Sequence, residues 1–399
     1  MKLENKNILL GVAGGIAAYK SLELVRLLTK QNAVVNVVMT EHAEKFIGRM
    51  SFQALSGNPV LADTFDLVSG VEIKHIALPD DASIAVIAPA TANIIGKIAH
   101  GIADDLLTTM MLAMTKPVLL APSMNVHMYD NRVVQDNIAR LRQLGYHFIE
   151  PNEGWLACGY EGKGRLAEPD QIVDEIELLL TRKDFQGKRV LVSAGPTREY
   201  LDPIRFISNP SSGKMGYAIA RAARMRGADV TLVSGKVNIK PPYGVHYVEV
   251  ESAHQMFEQV NASFRKTDCI IMSSAVSDFT PSSTSPQKIK KTADHLDISL
   301  ERTRDILSSV SKGKGDRIIV GFAAETENVE QYAREKLRQK NMDMIVANNV
   351  TEKNSGFEAD TNKVIIIGRD GTTEDFPLMR KTDLADVILD RIASLFARS

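Results

Sequence analysis

Two stretches of this sequence share one grammar, and that grammar admits few folds. Asn7 to Val12 (NILLGV) is a short apolar run, followed by the small residues Ala13, Gly14 and Gly15, then by Tyr19, Leu22, Val25 and Leu28 at helical spacing. Arg189 to Val192 (RVLV) runs likewise into SAGPTREYLDP, a second strand followed by a turn. Further strand-like runs lie at Val34 to Met39, Ala85 to Ala88 and Val118 to Ala121. Beyond the second start they recur at Asp229 to Val233, Cys269 to Met272, Ile318 to Phe322, Met344 to Ala347 and Val364 to Ile367. Helical patterns separate them, and strands alternating with helices build a parallel, doubly wound sheet. The chain is therefore expected to form two α/β domains, 1–183 and 184–399, divided in the polar stretch TRKDFQGK.

Length agrees, since 399 residues exceed what one hydrophobic core usually serves. Lys+Arg number 48 against 49 Asp+Glu, and this balance argues against general nucleic-acid or membrane-surface binding. The two cysteines, Cys158 and Cys269, offer neither a disulfide framework nor a CxxC metal site, which fits a reducing compartment. No run approaches the ~20 apolar residues of a membrane span, and the start lacks the features of a secretory signal, so a cytoplasmic location is expected.

Ligands of open parallel sheets bind beyond the carboxyl ends of the strands, so the residues following each run matter. The first is followed by Gly14-Gly15 at a helix start, suited to a phosphate. A dinucleotide fingerprint is missing: the turn reads GVAGGIAAYK rather than GxGxxG, and Thr40 stands where an acidic ribose-binding residue belongs. That favours a mononucleotide such as FMN. Ala85 to Ala88 leads into Pro89-Ala90-Thr91-Ala92-Asn93, Val118 to Ala121 into PSMNVHMY, and His75 lies in VEIKHIALPD. Cys158, in GWLACGYEGKGR, is read on a glycine-rich flap, and Cys269 as a core residue.

GGIAAYK, His75, APATAN, PSMNVHMY and ACGYEGKGR together closely resemble the flavin-containing cysteine decarboxylases, specifically the phosphopantothenoylcysteine decarboxylase domain of coenzyme A synthesis. The resemblance implies a flavodoxin-like domain holding FMN through Gly14, Gly15, Ile16, Thr40, Ala90, Thr91 and Met124. It implies His75 as base in thiol oxidation, Asn125 as the amide holding the substrate carboxylate, and Cys158 as proton donor in the final reduction. A cofactor is required because no ordinary side chain can accept the electrons of a departing carboxylate. Oxidation of the thiol to a thioaldehyde makes loss of CO2 easy. His127 matches a variable position of the motif and carries no role.

In the second half, SSGKMG is not a Walker motif, because Met215 follows Lys214 where Ser or Thr is required. AGPTREYLDPIRFISN, SSGKMG, SSAVSDF, KIKK and GFAAET resemble the phosphopantothenate-cysteine ligase domain, which implies a Rossmann-like fold. The bacterial type uses CTP to convert the carboxylate of 4′-phosphopantothenate into an acyl-cytidylate, which the amine of cysteine attacks. The resemblance implies Asn209 and Arg205 at the acyl-cytidylate, and Lys288 on a mobile loop, 278–294, reaching the triphosphate. It places Ala275, Asp278, Asp305, Ile306, Phe322, Lys336 and Lys340 at CTP, with Mg2+ near Asp278. Two residues depart from the pattern: Arg304 stands where proline is frequent before Asp-Ile-Leu, and Pro210 follows Asn209.

The ligase product, phosphopantothenoylcysteine, is the decarboxylase substrate, so the resemblance implies consecutive steps on one chain. It also implies a homo-oligomer, with trimeric flavin domains and dimeric ligase domains combining into a dodecamer. A flavin-binding regulatory subunit is the alternative of another class, and retention of His75 and Cys158 counts against it. An NAD(P)-dependent oxidoreductase lacks its fingerprint.

Overall fold

A computed structural model describes residues 3–63, 74–155, 159–290, 295–349, 351, 356 and 358–398. The chain divides into two compact units, Met1–Thr181 and Arg182–Ser399. The division precedes the expected 183/184 boundary by two residues. Arg182 pairs with Asp390, and the Lys183 ammonium donates to the Met225 carbonyl at 2.8 Å, so both residues belong with the second unit.

The first unit is built on β1 (Asn7–Val12), β2 (Val34–Met39), β3 (Ile84–Ala90), β4 (Val118–Pro122) and β5 (His147–Phe148). Their order is β2-β1-β3-β4-β5, all parallel. This is the flavodoxin-like arrangement, with its topological switch point between β1 and β3. Every residue of β3 is buried, which is why these runs are continuously apolar rather than alternating. Two short strands follow, β6 (Asn152–Trp155) and β7 (Glu161–Arg165), forming an antiparallel hairpin. The expected flap around Cys158 falls between these strands, and residues 156–158, Cys158 among them, lie outside the described residues.

The second unit starts in mid-sheet. β8 (Arg189–Ala194) is followed by the ribbon β9 (Arg198–Tyr200) and β10 (Phe206–Ser208), then by β11 (Asp229–Gly235) and β12 (His246–Val250) on one side. The chain crosses to β13 (Cys269–Met272), makes a second ribbon from β14 (Phe279–Pro281) and β15 (Leu300–Arg302), and continues through β16 (Ile318–Glu325) and β17 (Met344–Asn349). The order β12-β11-β8-β13-β16-β17 is the Rossmann order, parallel throughout, with its switch point between β8 and β13. β18 (Thr361–Gly368) and β19 (Thr373–Arg380) extend the sheet antiparallel. Cys269 is fully buried in mid-sheet, as a core residue.

The final helix, Lys381–Arg398, buries Leu384, Ala385, Ile388, Leu389 and Ile392, an i, i+1, i+4, i+5, i+8 stripe, in the core it shares with helix Lys214–Met225. Arg226, 2% exposed, lies over the Phe185 ring between Asp184 and Asp390. Removing one partner from such a buried pair strands a charge, so this knot holds the entering chain to the unit.

Candidate active sites

In the first unit the carboxyl ends of β1 to β4 open on a crevice of about 970 Å³, within the usual size range of ligand pockets. Gly14, Gly15, Ile16, Thr40, Thr91, Met124 and Asn125 line it. Each arrives from a strand end. A Cβ on Gly14 would meet the His42 Cβ at 2.4 Å, whereas at Gly15 the nearest atom is Thr91 Cγ2 at 3.8 Å, so the second glycine leaves open space. Thr40 and Thr91 cap the helices that follow them, accepting from the Ala43 and Ile94 N–H groups. The Asn125 side-chain oxygen accepts from the His127 N–H at 2.8 Å. Ala90 is fully buried behind the crevice, its carbonyl accepting from the Ser123 N–H, and does not line it.

Several further residues line the crevice that were not among the expected site residues. Lys97 holds Asp104 at 2.6 Å and Asp105 at 2.9 Å, and its pKa is raised, chiefly by the Asp104 hydrogen bond. Lys20 holds Glu168 at 2.9 Å, and Arg165 and Trp155 come from the hairpin. His75 lies in helix Lys74–Asp81, which packs on helix Leu106–Ala113 and was not foreseen; its side chain is outside the described residues.

In the second unit Asp278, Asp305, Ile306, Phe322, Lys336 and Lys340 line one pocket of about 550 Å³. Lys336 donates to the Phe322 carbonyl at 3.0 Å, and burial pushes its pKa down. Lys340 bonds to Asp305 and, at 2.8 Å, to the Ser308 hydroxyl. Burial would raise the Asp305 carboxyl, but Lys340 and the Ser308 N–H together hold it below the ordinary range. Arg302 and Arg304 also line this pocket, giving four cationic side chains to two carboxylates. That balance suits a polyanion. Among the described residues no group of three His, Cys, Asp or Glu side chains is placed to hold a metal unaided.

Four expected ligase residues, Ala275, Asn209, Lys288 and Arg205, stand apart from this pocket's lining. Ala275 is engaged by its backbone, its N–H donating to Gly195 and its carbonyl accepting from Thr197. Asn209 donates to the Val276 carbonyl at 3.2 Å, which puts it beside the same loop. Lys288 is exposed, and hydrogen bonds join the loop that carries it to the end of β9 and the segment after it. The Ser285 N–H donates to Leu201, the Thr284 hydroxyl to Tyr200, and the Ile289 N–H to the Asp202 carboxylate. Residues 291–294 are outside the described residues. Lys214 of SSGKMG donates to the Asp360 carboxylate at 2.6 Å and to the Glu358 carbonyl.

Two family models divide the chain at the same place: Flavoprotein over residues 1–181, and the DNA/pantothenate metabolism flavoprotein C-terminal domain over 185–396. The chain is 49% identical to the coenzyme A biosynthesis bifunctional protein CoaBC of Bacillus subtilis (strain 168), covering 98% of both. The chain belongs to the bifunctional coenzyme A biosynthesis proteins. Its family also includes the CoaBC of Escherichia coli (strain K12), 44% identical over 99% of this chain and 98% of that one. Among solved structures, the C-terminal domain of a CoaBC protein is 43% identical, covering 54% of this chain and all of that one, with a TM-score of 0.48. The FMN-dependent cysteine decarboxylase SpaF is 32% identical, covering 43% and 99%, with a TM-score of 0.37.

Sequence reasoning missed Asp202, Arg302 and the β6–β7 hairpin. Asp202 had a local signal, the Asp-Pro of YLDPIR, a frequent turn starter. The hairpin had none, because its strands carry glycines in place of alternating apolar residues.

Proposed function

We propose that this chain performs two consecutive steps of coenzyme A synthesis, joining 4′-phosphopantothenate to cysteine in its second unit and decarboxylating the product in its first. The observation that carries the reading is the convergence of Asp278, Asp305, Ile306, Phe322, Lys336 and Lys340 on one cation-rich pocket, in a chain whose first unit gathers Thr91, Met124 and Asn125 at a flavodoxin-type switch point. The phosphopantothenate carboxylate attacks the α-phosphorus of CTP and pyrophosphate leaves. The cysteine amine then attacks the acyl carbon and CMP leaves. Lys336 and Lys340 offer charge to the phosphates, Asp278 would hold Mg2+, which would supply further positive charge there, and Asn209 and Arg205 hold the acyl-cytidylate.

The first unit fits FMN, since the Gly15 opening and the threonine-capped helix starts offer N–H groups and space at the switch point. Gly14, Gly15, Ile16, Thr40, Thr91 and Met124 would hold it. When bound, FMN supplies the two-electron oxidation and reduction that this chain's side chains lack. Asn125 orients the substrate carboxylate, His75 takes a proton in the oxidative half, and Cys158 returns one at the end. Ile16, Met128 and Trp155 line the crevice yet remain exposed, at 62%, 49% and 70%, which supports a site closed by a neighbouring copy in a homo-oligomer.

The test is to incubate the purified protein with 4′-phosphopantothenate, cysteine, CTP and Mg2+, following pyrophosphate and CO2 together and weighing the products. Equal release of both with 4′-phosphopantetheine formed is expected. Pyrophosphate without CO2 would confine the activity to ligation, and release of neither, with CTP or ATP, would return the regulatory-subunit reading.

A further inference from the structure

Asp202 is the polar hub of the second unit. Its side chain is fully buried yet engaged at both oxygens. Oδ1 accepts from the backbone N–H groups of Ile204 and Arg205, each at 2.8 Å, which closes the turn of YLDPIR. Oδ2 accepts from Arg205 Nη1 at 3.2 Å and from the Ile289 N–H at 3.1 Å, across 87 positions of sequence. The same Arg205 Nη1 donates to the Ile289 carbonyl at 3.0 Å. One residue of KIKK is thus gripped at both its N–H and its carbonyl, by a carboxylate and a guanidinium that also hold each other.

This arrangement does more than close a turn. A turn needs Oδ1 alone, as in an Asx motif. Burial would push the Asp202 carboxyl up, but the N–H groups of Arg205, Ile204 and Ile289 and the Arg205 charge keep it well below the ordinary range, so it stays an anion throughout the neutral range. Ile289 is half-buried while Lys288 and Lys290 on either side are exposed, so holding Ile289 presents both ammonium groups outward. Thr284 and Ser285 dock on Tyr200 and Leu201, which carries the attachment along the loop.

We infer that Asp202 is a positioning residue for ligation: with Arg205 it seats the Lys288 loop by the backbone of Ile289, fixing where the lysines meet the nucleotide phosphates. This rests on the ligase reading above. It also gives Arg205 a second task, since one arm of its guanidinium engages the loop through Asp202 and the Ile289 carbonyl.

The experiment compares the wild-type full-length protein with Asp202→Asn, which keeps an acceptor for the turn but can place an NH2 against the Ile289 N–H and Arg205. Limited trypsin digestion reports loop seating, because Lys288 and Lys290 are cleavage sites. Asp202→Asn should be cut there about tenfold faster, and its KM for CTP in pyrophosphate release should rise about tenfold, with CO2 release from supplied phosphopantothenoylcysteine unaltered. Saturating CTP with Mg2+ should slow cutting in wild type more than in the variant. Unchanged cleavage and unchanged KM would overturn the inference. Faster cleavage with unchanged KM would also overturn it, by reducing Asp202 to a structural turn. If wild type itself releases no pyrophosphate with CTP, the ligase reading fails instead, and the two failures are distinct. Should Asp202→Asn not fold, Arg205→Lys, which keeps the charge but loses the planar fork, should give the same pair of changes.

Discussion

Gly164 lies so close to Met124 that a Cβ on it would stand 2.3 Å from the Met124 carbonyl oxygen. The Met124 N–H donates to the Gly164 carbonyl at 3.0 Å, so β7 is docked by its backbone on the loop that carries Asn125. Gly164 also has φ +152°, where L side chains are strained. Gly164→Ala should displace the hairpin, cost about 1–3 kcal/mol of first-unit stability, and lower decarboxylation at least about tenfold while ligation persists. Fluorescence of Trp155, the sole tryptophan and a residue of β6, reports the displacement directly.

Asn125 and Asn209 belong to different units, and each is held by backbone: Asn125 by the His127 N–H, Asn209 by the Val276 carbonyl. Asn125→Gln should abolish most CO2 release and spare pyrophosphate release, and Asn209→Ala should do the reverse. Parallel loss of both activities in either variant would contradict separate sites.

Arg304 stands where proline is frequent in the ligase motif it resembles, and its side chain, 65% exposed, lines the second-unit pocket and reaches Glu258 at 3.5 Å. So loose an exposed pair is worth little and leaves the guanidinium available to phosphate. Arg304→Ala should raise KM for CTP about tenfold, or about 1.4 kcal/mol. It should also flatten the rise of KM with salt, and inhibition by free cytidine should not change.

Lys381 is buried, donating to the Gly356 carbonyl at 2.8 Å, and burial pushes its pKa down to about 8 from 10.5. Below pH 8 the folded and unfolded chains both carry the proton, and the cost of burying it is fully felt. Between about 8 and 10.5 the unfolded chain keeps the proton that the folded chain releases, so stability rises with pH across that window. Calorimetry of wild type and Lys381→Gln at pH 7.5 and 9.5 should show the wild-type second-unit transition gaining relative to the variant. A constant difference would remove Lys381 as its source.

Much of the fold is written locally. The runs at Asn7 to Val12 and Val34 to Met39 are strands with those very ends, and the buried strands β3 and β13 were legible because both their faces are apolar. The two nucleotide-type switch points follow from the strand order, which sequence suggests only as alternating strand and helix. Thr91 and Asn125 were singled out because each follows a strand run, and their roles came from the resemblance; the structure shows that each also caps the helix after it.

What the sequence alone determined was the set of elements and the residue types waiting at their ends, since apolar period, glycine turns and caps act between near neighbours in the chain. Tertiary structure alone decided which of those ends meet. It paired β6 with β7 and docked β7 on Met124, turned β18 and β19 antiparallel, and tied Ile289 to Asp202. These contacts run through backbone N–H and carbonyl groups, which every residue carries, so no pattern of side chains announces them. Only packing of the two sheets' surroundings selects the partner.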